Sequence, residues 1–308
     1  MAPPLGVRRR RRGVAGTAAA AAAAAGVAAV ATTVRGAAGL TPGDLLPHMT
    51  LAQKVGQMTQ MNLGMIWGPN GLDTAALADM MNTYYVGSIL NSPFAGGGCT
   101  AQYPGGMSQA GYRALVAAIQ NASAAAQGNM PVPIPVIYGL DSVHGANYIA
   151  NGTMFPHATG VAATFDPANY ATVATVAALD TRSAGVPWMF SPVLDVGVQP
   201  LWSRLYETLG EDPVVGAAFA ASYMTAATTA GASLGLNYTT IAPCMKHFMG
   251  YPAPRSGKDR TDAWIPDAYL KQYFQPAFEA AAAAAASTVM VNSGSVSGVP
   301  AHASEALL

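Results

Sequence analysis

Charge and cysteine are both scarce in this chain. Only 10% of its 308 residues are charged and 51% are hydrophobic. That balance suits a packed globular body and argues against disorder. There are two cysteines, Cys99 and Cys244, without a metal-type Cys spacing. Cys244 lies in an apolar, strand-like run and reads as a buried free thiol. Nothing in the sequence supports a disulfide to Cys99, although one could form. No Gly-x-Ser-x-Gly elbow occurs, which removes the usual serine-hydrolase signature. Gly96-Gly97-Gly98 is a loop with no phosphate-cradle pattern around it.

The formal net charge is zero, but its distribution is uneven. Arg8 to Arg12 are five of the fifteen basic residues; without them ten basic residues face fifteen acidic ones, a net of −5. A mildly acidic body is a poor nucleic-acid binder. The arginines precede an uncharged run, residues 14–34, of Ala, Val, Gly and Thr. This order reads as a secretory signal or signal anchor over residues 1–40. The run approaches the ~20 residues that cross a bilayer, so if uncleaved it would anchor the protein in a membrane. A compositionally biased tail and a mitochondrial presequence are the alternatives. Sequons at Asn121, Asn151 and Asn237 fit the secretory reading, which implies a secreted or endolysosomal location.

The folded body is expected over residues 41–308. Thr50-Leu51-Ala52-Gln53 is a capping-box pattern, and Leu51, Val55, Met58 and Met61 or Leu63 follow at helical spacing. A helix containing Met80 and Met81 feeds a strand over Val86–Leu90. Strands are then predicted over Ile134–Leu140, Val186–Val196, Ile241–Phe248 and Ser287–Asn292. The intervening helices are predicted over Gln109–Ala126, Pro167–Ala184, Asp212 to about Ala230, and Pro266–Ala286. Alternation of this kind implies βα units and a parallel sheet. Polar groups leave four strands at their C-terminal ends, as Asp141, Asp195, Lys246-His247 and Asn292. No glycine fingerprint follows Leu90, as a doubly wound nucleotide fold would require. The sequence therefore favours a TIM-like (β/α) barrel, with about five of eight strands present.

The strand-end polar residues are the candidate site. Asp141 offers an acceptor to a hydroxyl-rich ligand, or a structural ion pair with Arg204. Lys246 is delivered by an apolar run, and lysine is rarely buried unless paired. Arg204 follows Trp202 and could be a stacked arginine or a ligand donor. Asp195 reads as a support fixing the loop after its strand, and Glu207 as a residue orienting Arg204 or a loop amide. His144 and His157 read as loop-packing residues. No metal is expected, since Asp141-x-x-His144 is a weak ligand pattern, and no cofactor is implied.

Several of these segments together resemble glycoside hydrolase family 3. They are Met49–Met58, Ile134–Gly145, Phe155-Pro156-His157, Phe190–Val196, Trp202–Glu207, Gly210-Glu211-Asp212-Pro213 and Lys246-His247-Phe248. They span about residues 43 to 304 and look most like the β-glucosidase branch. The resemblance implies a TIM-like barrel, usually followed by a second α/β domain. It also implies a retaining mechanism with an aspartate nucleophile and a separate acid. By motif match, Asp141 accepts bonds from sugar hydroxyls, and Arg204, Lys246 and His247 donate to them. The substrate implied is a β-glucoside or oligosaccharide with a terminal, non-reducing β-D-glucosyl unit.

The same resemblance places the nucleophile in a strand expected beyond Leu308, and the acid in a further domain. The 308 residues are therefore expected to lack turnover. Asp195 and Glu207 as a complete acid/nucleophile pair is the minor alternative. Departures from the family pattern are Asp180 for Glu, Gln199-Pro200 for Arg-Asp-Pro, and Ser293 for a frequent Tyr. Two other readings remain: a non-catalytic sugar-binding member, or a β-N-acetylglucosaminidase. The latter lacks support, because residues 249–268 contain no His.

Overall fold

The computed structural model describes residues 41–93, 106–126, 130–232, 235 and 241–308. The signal or anchor expected over residues 1–40, Cys99, the Gly96–Gly98 run and the Asn237 sequon lie outside the described residues. Among those described, no helix is long and apolar enough to cross a membrane.

The expected capping box forms. Thr50 Oγ1 accepts from the Gln53 amide at 3.2 Å, and Gln53 Oε1 accepts from the Thr50 amide at 2.8 Å. They start helix α1 (Leu51–Gln57). The helix is shorter than the periodicity suggested, and Gln60–Asn62 is instead strand β1. Met61 and Leu63 are two residues apart, a spacing that serves a strand as well as a helix. Pairing with the next strand decides the matter: Met61 lies opposite Ile89.

Helix α2 (Thr74–Asn82) is capped by Asp73, whose carboxylate accepts from Ala75 and Ala76 amides at 3.0 Å each. Strand β2 (Ser88–Leu90) follows, then α3 (Gln109–Ala126), as predicted. Strand β3 (Ile137–Leu140) is shorter than expected. Pro133 and Pro135 precede it and cannot donate to a ladder. Next come α4 (Pro167–Ser183), β4 (Trp188–Met189), α5 (Pro213–Thr229), β5 (Ala242–Phe248) and β6 (Thr288–Val291). Asp166 and Asp212 cap α4 and α5. The helix predicted over Pro266–Ala286 is broken into a short turn at Asp267–Tyr269, a wide π turn at Leu270–Phe274, and α6 (Gln275–Ala283). Pro276 explains the break, because it has no N–H to give and its ring crowds the carbonyl four residues back.

The six strands form one parallel sheet in strict chain order, β1 to β6. Each right-handed crossover therefore steps the same way, which curls a sheet toward a barrel; a doubly wound sheet reverses direction. The fold is the expected partial TIM-like barrel, with six sheet strands among the described residues in place of about five. The extra one is β1.

Two apolar clusters pack helices on the sheet. Leu63, Leu77, Met81, Ile89, Tyr112 and Tyr138 build one; Tyr170, Ala174, Ala177, Phe219, Tyr223 and Phe278 belong to the other. The small alanines on α4 let α5 approach closely. A buried polar chain crosses the second cluster. Tyr223 on α5 donates to Ser191 Oγ at 3.0 Å, Ser191 Oγ donates to the Ser142 carbonyl at 3.1 Å, and Ser142 Oγ meets Thr181 Oγ1 on α4 at 2.8 Å. Each such bond contributes about 1 kcal/mol. Together they pin the segments just after β3 and β4, which carry Asp141 and Asp195.

Candidate functional site

Lys246 and His247 are neighbours in β5, so simple alternation would send them to opposite faces. A bulge prevents this. Met290 pairs with Lys246 and Val291 with Phe248, leaving His247 as the extra residue. Both side chains are buried, at 2% and 5% exposure, and each meets a carboxylate. The Asp141 carboxylate, at the end of β3, forms a short ion pair with Lys246 Nζ and remains 32% exposed. Asp141 thus pairs with Lys246 and not with Arg204, the pairing considered from sequence. A lysine charge withdrawn from water is tolerated only because this carboxylate meets it.

Asp195 also sits differently from expectation. The stretch after β4 stays paired to β5: Ser191 O accepts from the Cys244 amide at 3.1 Å, Pro192 O from Lys246 at 3.1 Å, and Leu194 N donates to Lys246 O at 2.7 Å. This brings Asp195 Oδ2 to 2.7 Å from His247 Nδ1, with the Asp195 side chain 1% exposed. Asp195 therefore holds a histidine and makes no bond to the loop that follows it. Its Oδ1 is buried without a hydrogen-bond partner among the described residues. Burial lowers the His247 pKa; Asp195 opposes this, and the Lys246 and Arg204 charges add to it.

Arg204 and Glu207 form a bidentate pair, Nε to Oε1 at 2.8 Å and Nη2 to Oε2 at 2.7 Å. This is the orienting role expected for Glu207. Burial acts to raise the Glu207 carboxyl, but the bonds and charge of Arg204, with Lys246 and His247 behind it, bring it below its ordinary value. Burial likewise works against the Arg204 charge, and Glu207 more than offsets it. The two halves of the cluster meet at Tyr251, a residue not singled out from sequence. Its ring contacts His247 edge-on at 5.0 Å, and the Arg204 guanidinium lies over it at 5.7 Å. Trp202 packs on the same ring at 5.0 Å and donates through Nε1 to Asp259 at 3.0 Å.

The loop after β3 turns away at Gly145, whose φ is +99° and where a Cβ would lie 1.9 Å from the Thr153 carbonyl oxygen. The Asn147 amide, turned so that its nitrogen donates, reaches the Asp141 and Gly145 carbonyls at 3.1 and 3.0 Å. His144 bonds the Phe155 carbonyl through Nδ1 and stacks on His157 at 4.0 Å, the packing role expected for both. Among the described residues no three His, Cys, Asp or Glu are placed to hold a metal. Cys244 is a buried free thiol, as read from sequence.

The fold and these residues define a parallel α/β barrel domain with donors and acceptors gathered at one end of its strands. The chain belongs to glycosyl hydrolase family 3: residues 50–308 match the glycosyl hydrolase family 3 N terminal domain. It is 44% identical over 271 residues to the lysosomal beta glucosidase of Dictyostelium discoideum, covering 85% of this chain and 32% of that protein. The periplasmic beta-glucosidase of Salmonella typhimurium is 26% identical over 265 residues, 86% of this chain and 30% of its own. Among solved structures, the exo-1,3/1,4-beta-glucanase of a Pseudoalteromonas species superposes with a TM-score of 0.72 at 27% identity, over 85% of this chain and 31% of that one. A mutant beta-glucosidase from Listeria innocua, in complex with laminaribiose, gives 0.68 at 27% identity, over 85% and 34%. The chain spans about a third of the length of the curated relatives named here.

Proposed function

We propose that this chain carries the sugar-gripping part of a retaining β-glucosidase, one that releases terminal, non-reducing β-D-glucosyl units. Asp141 accepts from the pyranose hydroxyls, and Lys246 and Arg204 donate to them. The observation that carries this reading is the Asp141–Lys246 pair: the lysine is almost sealed while the carboxylate stays a third exposed. The open carboxylate face leaves acceptor lone pairs available to a hydroxyl, beside the buried ammonium that holds it. Each charge-assisted bond to a hydroxyl is worth about 1.5–3 kcal/mol when buried. The 44% identity to a lysosomal beta glucosidase supports the glucoside reading. The lysosomal and periplasmic relatives, with the basic and apolar leader, support entry into a secretory route.

One observation favours a narrower reading of the 308 residues. The three carboxylates of the cluster are each held by a basic side chain: Asp141 by Lys246, Glu207 by Arg204, and Asp195 by the His247 ring. Each therefore already serves as the partner of a basic side chain, which favours a binding or positioning role over a nucleophilic one. The expected outcome for this chain is binding of glucose and gluconolactone by calorimetry, without release of aglycone from a chromogenic β-glucoside. Hydrolysis that disappears in Lys246→Ala would overturn this expectation and require a nucleophile within the chain.

A further inference from the structure

We propose that Asp195 is a positioning residue that locks the His247 imidazole in the tautomer protonated on Nδ1, so that Nε2 presents a lone pair and accepts a hydrogen bond from a pyranose hydroxyl. The sugar part of this statement rests on the function proposed above; the tautomer does not. An ionised carboxylate can only accept, so the 2.7 Å contact to Asp195 Oδ2 requires its proton on Nδ1. Asp195 has no competing attachment, since Oδ1 finds no partner among the described residues. At the other end of the ring, Nε2 is bonded to no described residue. The His247 side chain keeps 5% exposure. A second proton there is disfavoured by burial and by the nearby Lys246 and Arg204 charges.

The consequence is a rule of recognition. Lys246 and Arg204 carry donors only, and a hydroxyl facing them must accept. A hydroxyl facing His247 Nε2 must donate. This reverses the donor role that the sequence resemblance implies for His247, and it gives the site an acceptor besides Asp141, which is shared with Lys246. Fluorine in place of a hydroxyl cannot donate, so fluorination is costly at the position facing His247 as well as at any that faces Asp141.

The test is a long-range proton–nitrogen correlation spectrum of the protein labelled in its histidines, with His247 assigned by its loss in His247→Gln. At neutral pH we expect the proton on Nδ1 and an unprotonated Nε2. In Asp195→Ala we expect the proton to move to Nε2 or to exchange between the two nitrogens; Asp195→Asn, nearly the same shape, serves if the alanine variant unfolds. A protonated Nε2 in the unmodified chain, or an unchanged Nδ1–H form in a folded Asp195 variant, overturns the proposal. No sugar is present in that spectrum, so its outcome is independent of the glucoside reading. Calorimetry with glucose and its monofluorinated analogues is the second arm. The position facing His247 should lose about tenfold in affinity, and His247→Ala should erase that loss while leaving any loss at the position facing Asp141. Analogues that all bind like glucose overturn the acceptor role. Absence of any glucose binding overturns the sugar reading, while the spectrum still decides the tautomer.

Discussion

Lysine and arginine in the strand-end cluster do different physical work. Lys246 is a point charge at the bottom of the site, held by one carboxylate; Arg204 is a planar fork held flat on Glu207 and over Tyr251. Lys246→Met keeps the stem and removes the charge, so the fold should persist while glucose affinity falls about tenfold to a hundredfold, read by calorimetry beside a far-ultraviolet spectrum. Arg204→Lys keeps the charge but cannot reproduce two parallel bonds to Glu207. It should weaken glucose binding about tenfold, and unchanged affinity would place Arg204 outside the site. Sequence pointed to Asp141, Asp195, Lys246 and His247 as polar residues at the ends of apolar runs, and the family resemblance added a binding role for Arg204 beside Glu207. It did not point to Tyr251, whose neighbours in Gly250-Tyr251-Pro252 read as an ordinary turn. The Asp195–His247 contact was hidden for another reason: it depends on one extra residue in β5, and a bulge leaves no mark in residue types.

Elements were legible where a cap and a long period coincide. Helices α3, α4 and α5 fall within a residue or so of their predicted limits, because Asp166-Pro167 and Asp212-Pro213 announce two of the starts. Strand lengths were not legible: the run Val186–Val196 is largely apolar, yet only Trp188–Met189 is regular strand, since Pro187 and Pro192 interrupt the ladder. Close packing between elements yields two predictions. At Gly139 in β3 an added Cβ would lie 2.3 Å from the Phe190 ring. Gly139→Ala should therefore destabilise by about 1–3 kcal/mol, read from the denaturation midpoint. Tyr223→Phe removes one bond from the chain linking α5 to Ser191, and should lower stability by about 1 kcal/mol with no change in the slope against denaturant. A larger loss of glucose binding than of stability in that variant would show that the chain positions Asp141 and Asp195 as well as supporting the core.

At the scale of the molecule, two properties follow from an open sheet with buried titrating groups. Strands β1 and β6 are the sheet edges, and an apolar groove of about 700 Å³, lined by Leu51, Val55, Met61, Met65 and Tyr84 among others, lies near the β1 edge. Leu51 on α1 and Met58 just after it are 78% and 79% exposed. Edges that pair with no further strand among the described residues, beside apolar surface, favour association between chains. Sedimentation should show mass rising with concentration; a monomer at all concentrations, with a cooperative thermal transition, would count against exposed edges in solution. The pH response has a definite sign. Burial holds the folded His247 pKa below its unfolded value of about 6.5, so below that pH the unfolded chain takes up a proton that the folded one resists. Glu207 and Asp259 are lowered overall, with burial opposed by their hydrogen bonds and neighbouring cations; their contribution is present above their unfolded values and lost as pH falls through the folded ones. Both effects point the same way, so midpoint stability should decline steadily from about pH 7 toward pH 4. A flat or rising profile over that range would contradict the burial of His247.

Sugar recognition at this site requires that Asp141, Arg204, Lys246 and His247 face a common ligand. A crystal soaked in glucose tests that geometry most directly. The expected density is a single pyranose ring with hydroxyls within hydrogen-bond distance of Asp141, Lys246, Arg204 and His247. A ring bound elsewhere, or none at saturating glucose with the site open to solvent, would contradict it.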